Sequence, residues 1–165
     1  MTTTGAASID PVGGASQVAT GVAVLDHLLE ELASAGRFGL SLEIAPDEPE
    51  AEVERAGRAL GDALRPLLDG EGVRGFGIAP SDEALAMVVL EASDRPLVAS
   101  NADLTSTGAG GLRSDLAATF LEELAQAASL TVHVRLIEGE NSQHVLSAIF
   151  KALGIALADA SKGAL

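Results

Sequence analysis

The chain is written twice, and that repetition constrains its fold more than any single motif does. Leu29 to Ile44 reads LEELASAGRFGLSLEI and Leu121 to Leu136 reads LEELAQAASLTVHVRL, an offset of 92 positions. Further on, Arg58 to Leu64 (RALGDAL) and Lys151 to Leu157 (KALGIAL) match at an offset of 93. Two matched segments in the same order and at nearly equal spacing point to a duplicated unit. The first half-repeat is expected over 1–72 and the second over 73–165, together forming one compact domain.

Each half has a readable pattern. Val18 to Leu25 reads as a short strand, and Asp26 can cap a helix running to about Ala35 that buries Leu28, Leu29 and Leu32. Phe38, Leu40, Leu42 and Ile44 alternate, as a half-buried strand requires. Val53, Ala56, Leu60, Leu64 and Leu67 keep helical spacing until Asp69, Gly70 and Gly72 stop the helix. The second half predicts strands near Ala84 to Ala92 and Leu97 to Ala102, a polar loop from Asp103 to Gly110 and a helix near Leu112 to Ala127. A strand from Leu130 to Ile137 and a helix from Ser142 to Ala158 follow. This order predicts an α+β fold of duplicated half-domains, each a mixed β-sheet with helices packed on one face.

Composition removes several functional classes. Ten Lys and Arg against 24 Asp and Glu leave a formal charge of -14, which repels a phosphate backbone, so no nucleic-acid partner is expected. The chain has no Cys, which excludes disulfides, thiol nucleophiles and Cys-zinc sites. Aromatic residues are 2% of the chain, so the core must be built from Ala, Val, Leu and Ile. No basic n-region precedes Arg37, and no run of 18 uninterrupted apolar residues is present, so a cytoplasmic chain without a membrane partner is expected. There is no Gly-rich phosphate loop between strand and helix, and no G-x-S-x-G elbow.

Chemistry-bearing residues are few. His27 opens the first helix, where a capping role is the plain alternative, and His133 shares the polar face of a strand with Arg135. His144 lies in the first turn of the last helix with Lys151 two turns later on the same face. Glu50 and Glu54 share a face of the first-half helix, although Glu54 and Arg58 also have the spacing of a surface ion pair. Histidine and carboxylate from equivalent helix starts suit a divalent metal.

Seven short motifs carry a family resemblance: Asp26-His27-Leu28-Leu29, Gly72-Val73-Arg74-Gly75-Phe76-Gly77, Asp82-Glu83-Ala84-Leu85-Ala86, Asp94-Arg95-Pro96, Asn141-Ser142-Gln143-His144, Phe150-Lys151-Ala152 and Ser161-Lys162-Gly163. In this order they resemble imidazoleglycerol-phosphate dehydratases, over about Thr20 to Leu165. The resemblance implies a fold like domain 2 of ribosomal protein S5, and a histidine-biosynthesis hydro-lyase acting on a phosphorylated imidazole metabolite, D-erythro-imidazoleglycerol phosphate, to give imidazole-acetol phosphate. It also implies a trimer-based homo-oligomeric octahedral shell with active sites shared between subunits, and two manganese ions (Mn2+) that grip the imidazole nitrogens while the neighbouring hydroxyl is expelled.

Carried over position by position, the resemblance implies His27, Glu54, His144 and His133 as metal ligands, four of the eight the family uses. The first three fall on one metal. The other metal keeps only His133, because Glu50, Gln143 and Ser147 stand where the family has His, His and Glu, and Ala51 replaces a histidine of the first site. Asp82 and Glu83 match the family's acidic pair and are the candidate catalytic carboxylates; Arg95, Lys151, Ser161 and Lys162 match its phosphate-binding positions and are expected to converge. The family's opening Arg-x-Thr-x-Glu-Thr strand has no counterpart in Met1 to Pro11, Ala35 stands for a histidine, and Gly75 takes the place of an arginine, with Arg74 shifted by one residue. These departures leave room for a non-catalytic phosphometabolite-binding or shell-forming homologue, or for a different metal-dependent reaction on the same scaffold.

Overall fold

The computed structural model describes residues 5–103 and 114–161. It contains, in order, β1 (Gly5–Asp10), β2 (Gln17–Ala19), α1 (Ala23–Gly36), β3 (Gly39–Ile44), α2 (Pro49–Leu68), β4 (Arg74–Ser81), β5 (Ala84–Ala92), β6 (Leu97–Ser100), α3 (Ser114–Ala128), β7 (Leu130–Glu138) and α4 (Ser142–Ser161). One sheet has the order β1-β3-β2 and the other β4-β5-β7-β6.

The duplication is visible in strand direction. Central strand β3 has β1 antiparallel on one side and β2 parallel on the other. Central strand β7 has β5 antiparallel and β6 parallel in the same way. Helices α1 and α3 make the crossovers that parallel neighbours require. Leu42 pairs with Val18 in the first sheet, and Val134, its counterpart at the repeat offset, pairs with Ser100 in the second. Strand β4 has no equivalent among the described residues of the first half.

The helices exchange partners between halves: α1 lies on α4, and α2 lies on α3. Glycines of the repeated A-L-G motif make both contacts possible. A Cβ at Gly154 would stand 2.0 Å from the Leu32 carbonyl oxygen, and one at Gly61 would stand 2.8 Å from that of Leu124. Around these contacts Leu29, Leu32, Leu60, Leu121, Leu124 and Leu153 are fully buried, and the Phe120 and Phe150 rings meet edge-on at 5.6 Å.

Several sequence expectations need correction. The stretch from Val18 to Leu25 is not one strand: β2 ends at Ala19 and α1 begins at Ala23. Asp26 is not the N-cap; that residue is Val22, and Asp26 works from inside the helix. Strands β1 and β4 escape the sequence pattern. In β4, RGFGIAPS reads as turn because of its glycines and proline, yet Gly75 and Gly77 face α4, where a Cβ would lie 1.9 Å from the Ala156 oxygen and 2.1 Å from the Ala152 oxygen. Missing side chains let helix and strand approach closely. Finally, α4 is long and apolar enough by composition to cross a membrane, but it is mostly buried as the core helix.

Gly154→Ala and Gly61→Ala are each expected to lower the unfolding free energy by about 1–3 kcal/mol through overpacking against a backbone. Denaturant titration checks this; midpoints equal to that of the unsubstituted protein would contradict the close-contact account.

Candidate functional site

A cavity of about 480 Å³ opens where the start of α1, the start of α4 and the β4–β5 turn meet. His27 and Glu31 line it from α1, Gln143, His144 and Ser147 from α4, and Ser81 and Asp82 from the turn. Since α1 belongs to the first half and α4 to the second, the site exists because of the exchanged helix packing.

The entry into α1 is locked by its sequence. Thr20 is fully buried, its backbone N–H donates to Asp26 Oδ1 at 2.8 Å, and its hydroxyl donates to the same oxygen while accepting from the Val22 N–H. Gly21 between them has φ of +90°, and a Cβ there would collide with the Glu52 carboxylate. Glycine is needed on both counts. The clamp fixes Asp26, and with it His27 one residue later. At α4, Asn141 Oδ1 accepts from the backbone N–H groups of Gln143 and His144, an N-cap that orients the first turn.

His144 faces the two candidate catalytic carboxylates. Its Nδ1 is 2.6 Å from Glu83 Oε2 and its Nε2 is 3.3 Å from Asp82 Oδ2. Asp82 adopts φ of +50° in the tight turn, a left-handed conformation that Asp tolerates better than most residues. Glu83's own backbone N–H, and then the hydrogen bond with His144, hold its carboxyl below the usual glutamate value.

A second cluster centres on Glu31, which the sequence reading did not single out. Its Oε2 accepts from the Ser147 hydroxyl at 2.6 Å and lies 3.7 Å from Lys151 Nζ, while Oε1 is 3.2 Å from His27 Nε2. The signal was present: Glu31 follows His27 by four residues, one helical turn.

The remaining candidates are dispersed within one chain. Glu54 is exposed on α2 and does not line the cavity. The duplication explains this: Glu54 is the counterpart of Ser147, and α2 packs on α3, so Glu54 sits on the pseudo-equivalent helix pair and not on α1–α4. His133 is exposed on the outer face of the second sheet, in register with Val89. That face also exposes Phe76 and Ile78, and Arg74, which pairs with Glu91 at 3.0 Å. Among the described residues, no three His, Asp or Glu side chains of one chain form a group able to hold a metal.

The phosphate positions do not converge within a chain either. Lys151 is beside the cavity, its Nζ 3.5 Å from the Pro80 carbonyl oxygen. Ser161 is 17 residues beyond His144 on α4, about 25 Å away along a helix, and its hydroxyl donates to the Ala158 carbonyl. Arg95 is exposed beyond the far end of β5 from the Asp82–Glu83 turn, and Lys162 lies outside the described residues.

Fold and site together define a duplicated α+β protein with a histidine- and carboxylate-lined cavity at the junction of its halves. Comparison with known proteins then gives the family: residues 20–157 match the imidazoleglycerol-phosphate dehydratase family. Imidazoleglycerol-phosphate dehydratase of Bacillus anthracis is 37% identical over 149 residues, covering 87% of this chain and 77% of the relative. That of Lacticaseibacillus casei is 35% identical over 147 residues, covering 86% and 76%. The Pyrococcus furiosus crystal structure superposes with a TM-score of 0.84 at 30% identity, covering 96% of this chain and 88% of that one. The Staphylococcus aureus structure gives 0.82 at 32% identity, covering 93% and 91%. The chain belongs to the imidazoleglycerol-phosphate dehydratase family, whose members are histidine-biosynthesis dehydratases.

The Glu83–His144 contact has a definite pH dependence. Because Glu83's own backbone N–H and then His144 lower its carboxyl in the fold, the stabilisation these hydrogen bonds give to the ionised carboxylate is present above the ordinary glutamate range and is lost as pH falls through the depressed value. Carbon NMR titration should give a Glu83 midpoint below 4.5; a midpoint at or above it would show that the hydrogen bonds do not favour the ionised form.

Proposed function

We propose that this chain binds a phosphorylated imidazole metabolite in the α1–α4 cavity and removes water from it, as a divergent imidazoleglycerol-phosphate dehydratase. One observation carries the reading: His27 and His144, one from each half, line the same cavity beside Asp82. In the reaction a C–H proton and the hydroxyl on the adjacent carbon leave as water, and the resulting enol rearranges to the ketone of imidazole-acetol phosphate. Asp82 and Glu83, both held against His144, are the carboxylates that take the C–H proton and return it to the departing hydroxyl, so that the two leave together as water. Lys151 supplies positive charge near the cavity for the phosphate, with Arg95, Ser161 and Lys162 contributed from neighbouring copies.

A manganese site would need donors from two copies, because no three His, Asp or Glu side chains of one chain group around an ion among the described residues. His27 and His144, with Glu54 of another copy, make a two-imidazole, one-carboxylate set, and a bound ion would supply Lewis-acid polarisation of the substrate imidazole. The second set does not fit, because Glu50, Gln143 and Ser147 replace strong donors around His133. Completion of the site by a second copy favours a homo-oligomer. The exposed Phe76, Ile78 and Val89 on the outer sheet face give it apolar surface to bury. Operation in the cytoplasm follows from the biosynthetic role.

A second reading has its own support. Glu83 and Asp82 engage both ring nitrogens of His144, and Ser147 donates to Glu31, so the polar groups of the cavity satisfy one another. That arrangement favours a non-catalytic binding or shell-forming subunit.

Expression in a histidine auxotroph lacking the dehydratase separates the two. The dehydratase reading expects growth, and a loss of at least about 100-fold in kcat/KM for His144→Ala. No growth from a well-folded, assembled protein would support the non-catalytic reading instead.

A further inference from the structure

The polar side chains lining the α1–α4 cavity divide into those that already have partners and those that do not. Both ring nitrogens of His144 face carboxylates, Nδ1 at 2.6 Å from Glu83 and Nε2 at 3.3 Å from Asp82. On the α1 side, Glu31 engages His27 Nε2 and accepts from the Ser147 hydroxyl. The Gln143 carboxamide and the Ser81 hydroxyl line the same cavity, and among the described residues neither side chain has a hydrogen-bond partner. Their hydrogen-bonding capacity is left for a ligand.

We propose that Gln143 and Ser81 are the specificity-determining residues of this cavity: the Gln143 amide oxygen accepts from the N–H of the ligand's imidazole ring, and the Ser81 hydroxyl donates to the other ring nitrogen. The proposal rests on the cavity being the substrate site and adds to it how the ring is read. A neutral imidazole presents one N–H donor and one bare nitrogen acceptor, pointing apart. A carboxamide and a hydroxyl can meet one each. They reach the cavity from two elements, Gln143 from the first turn of α4 and Ser81 from the end of β4.

Both residues are fixed through their backbones. Asn141 Oδ1 accepts from the Gln143 N–H at 3.0 Å, which sets the start of α4 and leaves the amide side chain uncommitted. Ser81 pairs with Ala84 across the β4–β5 turn, next to Asp82. In the repeat, Glu50 stands at the position of Gln143 and Ala51 at that of His144, so a neutral amide beside an imidazole belongs to this junction alone. A ligand that meets Gln143 and Ser81 gains hydrogen bonds without first breaking any within the protein. A ring of the same size that lacks the matching donor or acceptor leaves one of them unpaired, and discrimination follows from that.

Calorimetric titration of the full chain with imidazole-acetol phosphate and with its ring-N-methylated analogue tests this. Methylation removes the N–H and keeps both the bare nitrogen and the phosphate. The unsubstituted protein should bind the parent compound about tenfold more tightly than the methylated one. Gln143 is exposed, so Gln143→Leu should keep the thermal midpoint while it weakens the parent alone and erases the preference. Gln143→Glu keeps an accepting oxygen and should retain the preference, and Ser81→Ala should weaken both ligands several-fold. No preference in the unsubstituted protein, a preference that survives Gln143→Leu, or unchanged binding in Ser81→Ala would overturn the proposal. Loss of binding in His144→Ala would then leave the cavity reading standing. If the unsubstituted protein binds neither compound, the cavity reading and the proposal fall together.

Discussion

Two backbone-to-backbone helix contacts, at Gly61 and Gly154, are the constraint on which the rest of this molecule depends. With so few aromatic side chains, the core is assembled from Leu, Val and Ala, and these small residues gain most when backbones approach closely. The repeated A-L-G motif meets that need twice, setting α2 against α3 and α4 against α1. Each half therefore contributes a helix to cover the other. A duplication packed this way has two pseudo-equivalent helix junctions, and only the α1–α4 junction retains histidine from both sides.

The chemistry of the cavity follows from that geometry. Polar groups there face one another: His144 stands against Glu83 and Asp82, while Glu31 is surrounded by His27, Ser147 and Lys151. In a chain of net charge -14, this junction brings His27, His144 and Lys151 together with the carboxylates of Glu31, Asp82 and Glu83. The clamp of Thr20 on Asp26 and the Asn141 cap hold the two helix starts, so the imidazoles are presented by rigid elements.

Much of the fold could be read from the residues. The repeat located α1, β3 and α2 against α3, β7 and α4, and the alternation from Phe38 to Ile44 gave β3 its buried face. Asp82, Glu83 and His144 were singled out by resemblance and do meet in space. What stayed hidden was the exchange of helix partners, because periodicity reports which face of a helix is buried and not which helix covers it. That is why Glu54, placed with His27 and His144 on resemblance, lies on the other helix pair. Strand β4 was hidden because its glycines, which make the approach of α4 possible, are locally indistinguishable from turn residues. Glu31 was hidden because one more glutamate on an acidic helix looks like a solvated face.

The central claim is that His27 and His144 face one ligand between the two halves. A crystal structure of the protein grown with imidazole-acetol phosphate tests it most directly. The imidazole ring is expected in the cavity at the starts of α1 and α4, with polar contacts to both histidines. Ligand density elsewhere on the chain, with that cavity filled only by solvent, would contradict it.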